Sequence, residues 1–172
     1  MLFDFKHYNV IKEQIGEITD SSLIHFMTFG KWHSYELLYY LLSFTGKSNV
    51  TITTFGLSEE GLRSLQKAKN EGYINDLTMI INLSARVYKK KFMFYLKNVA
   101  DTVLLQNIHA KLFIIEGENF NAIVNQSANF STNPTNESGV ISTMPNDIIT
   151  YKDYINKTIK LSKQLNFSEN VI

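Results

Sequence analysis

The sequence predicts an α/β fold, with a mixed, largely parallel β-sheet flanked by helices on both faces. Across the first hundred residues, short apolar runs alternate with stretches of helical periodicity, the order expected of βαβ units. After Asp101 the apolar runs follow one another with very little between them, so the sheet is expected to become mixed there. The length of 172 residues at 44% hydrophobic content suffices for one compact core and is too small for two ordinary catalytic domains. A single domain over 1–172 is expected, with 1–20 as an N-terminal extension and 146–172 as a C-terminal helix and tail.

The elements follow in order. "SLIHFMTF" (Ser22 to Phe29) is apolar and aromatic and is stopped by Gly30, as a strand entering a turn would be. "HSYELLYYLLSF" (His33 to Phe44) sets Leu37, Leu38, Leu41 and Leu42 at helical spacing, with Gly46 as the stop. "NVTITTF" (Asn49 to Phe55) alternates apolar residues with threonine, a strand pattern. Ser58 is the expected N-cap of a helix reaching Asn70. Glu59 and Glu60 favour its positive end, and Gly72 closes it. "LTMIINL" (Leu77 to Leu83) reads as a strand, followed by a basic amphipathic helix from about Arg86 to Asn98. "TVLLQ" and "HAKLFIIE" give two further strands, "FNAIVNQSAN" and "SGVIST" two short ones, and Asn146 to Leu165 a final helix.

Composition narrows the chemistry. A net charge of +1 excludes a whole-molecule polycation, so any basic surface for nucleic acid must be local. The absence of cysteine excludes disulfides, thiolate zinc sites and cysteine nucleophiles. The first twenty residues scatter charges among their apolar positions, which argues against a secretory signal or membrane span. A cytoplasmic protein without membrane association is expected. His7, His25 and His33 lack ligand-like spacing, so no metal and no cofactor is expected.

The stretch "NIHAKLFIIE" (Asn107 to Glu116) is the unusual one. If it is extended, His109, Lys111 and Phe113 share a face, while Ala110, Leu112, Ile114 and Glu116 project to the other. An ammonium beside an imidazole in a sheet costs free energy unless an anion compensates, and phosphate bound at a strand end would do so. An isolated H-x-K is more often a strand-end lysine in solvent, but the downstream "NQSANFSTNPTNESGVI" adds Ser127, Asn129 and Glu137. Together they supply a nucleophile or proton carrier, a fixed positive charge, two hydrogen-bonding side chains and a carboxylate able to orient the imidazole. Phosphoryl transfer needs that inventory.

"HAKLFIIE" is similar to the H-x-K-x4-D signature of the phospholipase D superfamily, and "QSAN" to its G-S-x-N element, with a glutamate about ten residues after the asparagine. The strand, helix, strand, helix order ahead of the motif resembles that of small phage and bacterial members. Glu116 stands where the family has aspartate, Gln126 where it has glycine, and the connection from Glu116 to Ser127 is a few residues longer. The chain carries one such HKD motif. Members that act bring two motifs to one active site, so the resemblance implies a homodimer with His109 of both subunits at a two-fold axis. It implies that His109 forms a phosphohistidine, that Lys111, Asn129 and Ser127 hold phosphate oxygens, that Glu137 fixes the imidazole tautomer, and that Glu116 is a supporting acid.

Substrate choice rests on weaker signals. Arg86, Lys89, Lys90 and Lys91 form a basic run that would track nucleic-acid phosphates, although a solvated helix face explains such a run as well. Lys31 and Trp32 fall just after the first expected strand, where an α/β sheet presents ligand-facing loops. A metal-independent nuclease or other phosphodiesterase is the leading expectation. A non-catalytic nucleic-acid-binding or assembly protein is the second, kept open by Gln126, and a lipid phosphodiesterase the third.

Overall fold

The structure is a computed structural model and describes residues 5–84, 90–132 and 135–164. The chain runs α1 (Tyr8–Ile15), β1 (Leu23–Met27), α2 (Ser34–Thr45), β2 (Ser48–Thr54), α3 (Glu59–Asn70), β3 (Ile74–Asn82) and α4 (Lys90–Val99). It continues as β4 (Thr102–Gln106), β5 (Lys111–Gly117), β6 (Asn121–Gln126), β7 (Ser138–Ser142), α5 (Pro145–Leu161) and β8 (Lys163–Gln164). Local chemistry explains the helix ends. The Ser58 side chain accepts the Gly61 N–H at 3.1 Å, capping α3 as its sequence requires. Gly46 and Gly72 take left-handed backbone angles (φ 76° and 82°) just past α2 and α3, where a side chain would be strained. Ser58→Ala is expected to cost about 1 kcal/mol, read as a lower midpoint in a urea melt.

All the described strands join one sheet in the order β1-β7-β6-β5-β2-β3-β4-β8. Only β2–β3 and β3–β4 are parallel; every other pairing is antiparallel. The sheet is mixed with helices on both faces, as expected, but it is not largely parallel. The βαβ order correctly gives β2, β3 and β4. It misleads at β1, because β5, β6 and β7 insert between β1 and β2. Four antiparallel steps, from β1 through β7, β6 and β5 to β2, restore the original direction, so β1 and β2 run the same way without touching.

The pleat assigns each strand residue to one of two cores. Phe113 and Ile115 of β5 face the larger one, with Leu37, Leu41, Leu62, Leu65 and Leu96 from α2, α3 and α4. Ile11 and Ile15 of α1 are buried in it too, so the stretch expected to be an N-terminal extension packs into this core. Leu112 and Ile114 face the smaller core, closed by Ile148 and Ile155 of α5. Fully burying a side chain of this size stabilises by about 1.5–3 kcal/mol, and both cores lie directly under the strand ends that form the site. No helix among the described residues is long and apolar enough to cross a membrane.

Candidate active site

The C-terminal ends of β1, β2, β3, β4 and β6 converge on one end of the sheet, where β5 and β7 begin. His109 lies on the short loop from β4 to β5. It therefore precedes the strand rather than sharing a pleat with Lys111. Its backbone is pinned on both sides: Asn82 Nδ2 donates to the Ile108 carbonyl (2.7 Å), and Thr53 Oγ1 donates to the Ala110 carbonyl (2.9 Å) while accepting the Leu112 N–H (3.0 Å). The buried Ile108 anchors the loop in the smaller core. These contacts hold an exposed imidazole on a fixed backbone.

Lys111, the first residue of β5, is only 7% exposed. Its Nζ lies 3.1 Å from Nδ1 and 3.2 Å from Nε2 of His109 and donates to the His109 carbonyl at 2.7 Å. The two residues meet as expected, through the reach of the lysine rather than strand parity. Burial pushes the Lys111 ammonium below the ordinary lysine range, against the opposing pull of the Glu137 charge. Over a window of pH reaching up to 10.5, the unfolded chain therefore retains a proton at this position that the folded chain has begun to release. Stability contributed by this residue thus rises with pH through the window. The Lys111→Met variant is expected to lose that rise in urea melts taken at successive pH values.

β6 ends at Gln126, so Ser127 and Asn129 lie beyond the strand and do not share a face in it. Ser127 Oγ donates to a Glu137 carboxylate oxygen and accepts the Ser138 N–H (3.0 Å). The other Glu137 oxygen accepts from Thr135 Oγ1 (2.7 Å). Within the chain Glu137 thus binds Ser127 and Thr135 and acts on Lys111 through charge; among the described residues no hydrogen bond joins it to His109. The carboxylate is steadied from β1, since Thr28 Oγ1 accepts the Glu137 N–H (3.0 Å) and the Thr28 N–H donates to its carbonyl (2.7 Å). Asn129 Oδ1 accepts the Gly56 N–H (3.2 Å), tying its loop to the end of β2.

Gln126 sits opposite Lys111 in the β5–β6 register, buried, with Nε2 donating to Ser34 Oγ at 2.6 Å and Oε1 lacking a partner among the described residues. An unsatisfied buried carbonyl is costly, and this one belongs to the residue paired with Lys111 across the sheet.

Two expected residues are elsewhere. Trp32 is 2% exposed, packed against Phe26 (5.3 Å between ring centres) with Nε1 donating to Gln14 (2.6 Å), so it offers no stacking face. Glu116 lies near the far end of β5 and pairs with Lys152 of α5, so it braces the helix and not the site. Arg86 and Lys89 lie outside the described residues, as do the side chains of Lys90 and Lys91, which open α4. Lys31 is exposed in the turn after β1, at the site end of the sheet.

The structure adds residues that the sequence did not single out. Phe55, exposed at the end of β2, lies 5.3 Å from the His109 ring at a 57° tilt. Phe29, after β1, is exposed and takes a left-handed backbone angle (φ 50°), which costs a bulky residue about 1–2 kcal/mol. Its N–H donates to Asn136 Oδ1 at 3.1 Å. An aromatic at a strand end is the ordinary continuation of an apolar run, so neither carried a local signal. Among the described residues no group of three His, Asp or Glu side chains is placed to hold a metal ion.

No family model matches the sequence, and no curated protein is similar to it. Its fold is nevertheless that of solved phospholipase D family proteins. Nuc from Salmonella typhimurium, described as a phospholipase D family member, superposes with a TM-score of 0.62 at 16% identity over 84% of this chain and 98% of its own. NucT from Helicobacter pylori gives 0.62 at 17% identity, covering 84% of this chain and all (100%) of its own. TrmBL2, an archaeal chromatin protein described as binding DNA, gives 0.55 at 10% identity, over 82% of this chain and 53% of its own.

Proposed function

We propose that this chain, folded as the phospholipase D nucleases are, is a metal-independent phosphodiesterase that hydrolyses nucleic acid as a homodimer. The observation that carries the reading is the exposed His109 imidazole held against the buried ammonium of Lys111, with the Ser127–Glu137 pair just off the ends of the neighbouring strands. A buried cation with its charge opposed by desolvation gains most when an anion arrives, and a phosphodiester is such an anion.

In the first step a nitrogen of His109 attacks phosphorus. The N–P bond forms as the bond to the leaving oxygen breaks, and His109 of the partner subunit gives that oxygen its proton. Water then attacks the phosphohistidine, passing a proton to the same histidine of the partner, and the N–P bond breaks to release the monoester. Lys111 stabilises the charge that grows on the non-bridging oxygens, an effect strengthened by its burial. Asn129, whose Oδ1 accepts the Gly56 N–H, would donate from Nδ2 to the same oxygens, and Glu137 keeps the Ser127 hydroxyl and the local charge in place.

Cleavage of bis-p-nitrophenyl phosphate in EDTA, compared between the native chain and His109→Ala, tests the reading: turnover by the first alone supports it. One observation favours a second reading. The Gln126 amide occupies the space opposite Lys111 where the resembling family carries glycine. No turnover in either chain, with salt-sensitive DNA binding retained, would favour a non-catalytic nucleic-acid-binding protein.

A further inference from the structure

Two exposed phenylalanines bracket the phosphate site. The proposed catalytic groups occupy the ends of β5, β6 and β7, and the strands that flank this trio in the sheet are β2 on one side and β1 on the other. Phe55 follows β2 and is 41% exposed; Phe29 follows β1 and is 62% exposed. Both lie at the strand ends where His109, Ser127 and Glu137 gather. From β1 to β2 the sheet makes four inter-strand steps, a span of roughly 19 Å. An extended nucleic-acid strand laid across the sheet end would put a few nucleotides over that distance, with the scissile phosphate near its middle.

The chemistry of both positions is that of a platform. Phe55 lies tilted against the His109 ring while leaving much of its surface in solvent. Phe29 is held outward by a turn whose backbone it strains: its N–H is fixed by Asn136, and the Gly30 N–H is fixed by Thr28 Oγ1 at 3.2 Å. Thr28 also binds the backbone of Glu137, so the turn that presents Phe29 is the one that positions the carboxylate. A strained backbone that exposes an apolar ring beside a site gains from a ligand that covers the ring.

Resting on the nuclease reading, we propose that Phe55 and Phe29 are stacking platforms for unpaired bases on either side of the scissile phosphate. The preferred substrate is then a single strand or a frayed end, because a paired base does not offer its face to a protein ring.

The test is binding of the full chain, by fluorescence anisotropy, to a labelled DNA single strand, to the same strand built from abasic residues, and to a duplex. Phe55→Ala and Phe29→Ala are each expected to weaken binding to the base-bearing strand about five- to a hundredfold. Binding to the abasic strand stays unchanged, and the tryptophan replacements retain affinity. Equal losses on the base-bearing and abasic strands would overturn the proposal. So would a shift of either alanine variant to monomer in sedimentation, since the rings would then belong to the contact between subunits. Wild-type cleavage of the base-bearing strand is followed in parallel. Base-dependent binding without cleavage leaves the platforms standing and removes the nuclease reading, whereas cleavage with base-independent binding does the reverse.

Discussion

His109→Ala is expected to lower turnover of a phosphodiester by about a thousandfold or more, because it deletes the proposed nucleophile and, in the proposed symmetric dimer, the proposed acid as well. The two losses separate in mixed dimers. A dimer with one native and one His109→Ala subunit has a single imidazole, which cannot both attack phosphorus and protonate the leaving oxygen. When native and variant chains are unfolded together and refolded in equal amounts, about a quarter of the dimers carry both histidines. Activity should therefore fall with the square of the native fraction. A linear fall would mean that each chain works alone and would remove the shared site. Because His109 is exposed and its loop is held by backbone contacts, the substitution should leave the melting midpoint nearly unchanged.

Phe113→Ala is expected to destabilise the fold by about 3–5 kcal/mol, a large part of the roughly 5–15 kcal/mol that holds a domain together. Phe113 is fully buried at the centre of β5 and meets Phe130 edge to face at 5.7 Å. Phe130 in turn ties the loop carrying Asn129 to the β2–α3 connection: its N–H donates to Thr54 Oγ1 (3.0 Å) and its carbonyl accepts the Ser58 N–H (3.2 Å). The cavity thus opens directly beneath the site, and little space-filling relaxation is available without moving that loop. A urea melt with the midpoint lowered and the slope retained would agree. A change below about 1 kcal/mol would show that the core collapses around the gap.

Much of this architecture was legible because it is local. The Ser58 cap, the glycine stops at Gly46 and Gly72, and the strand over Thr102–Gln106 all follow from neighbours within a few residues. The strand order was not, because nothing in the sequence near Leu23 announces a partner at Ser142. The site shows the same division. His109, Lys111, Ser127 and Glu137 were singled out from their spacing, and the structure places them at one end of the sheet. The spacing misjudged how His109 is held, since strand parity does not say where the strand begins, and the contacts that decide it come from Thr53 and Asn82 on other strands. Trp32 was expected to face a ligand because it falls just after the first strand, where an α/β sheet presents its loops. Burial against Phe26 and Gln14 is a tertiary fact that this position in the chain does not encode.

The position of β1 also governs when the molecule becomes competent. The backbone of Glu137 is fixed by Thr28, and the adjoining β1–β7 edge joins residues as far as 124 positions apart. Closing so long a loop is slow, so the β2–β3–β4 half can assemble well ahead of it. A nascent chain cannot order its carboxylate until β7 has been made and has captured a strand synthesised much earlier. If the chain is the nuclease proposed above, the carboxylate beside its Ser127 hydroxyl then becomes ordered only after that capture.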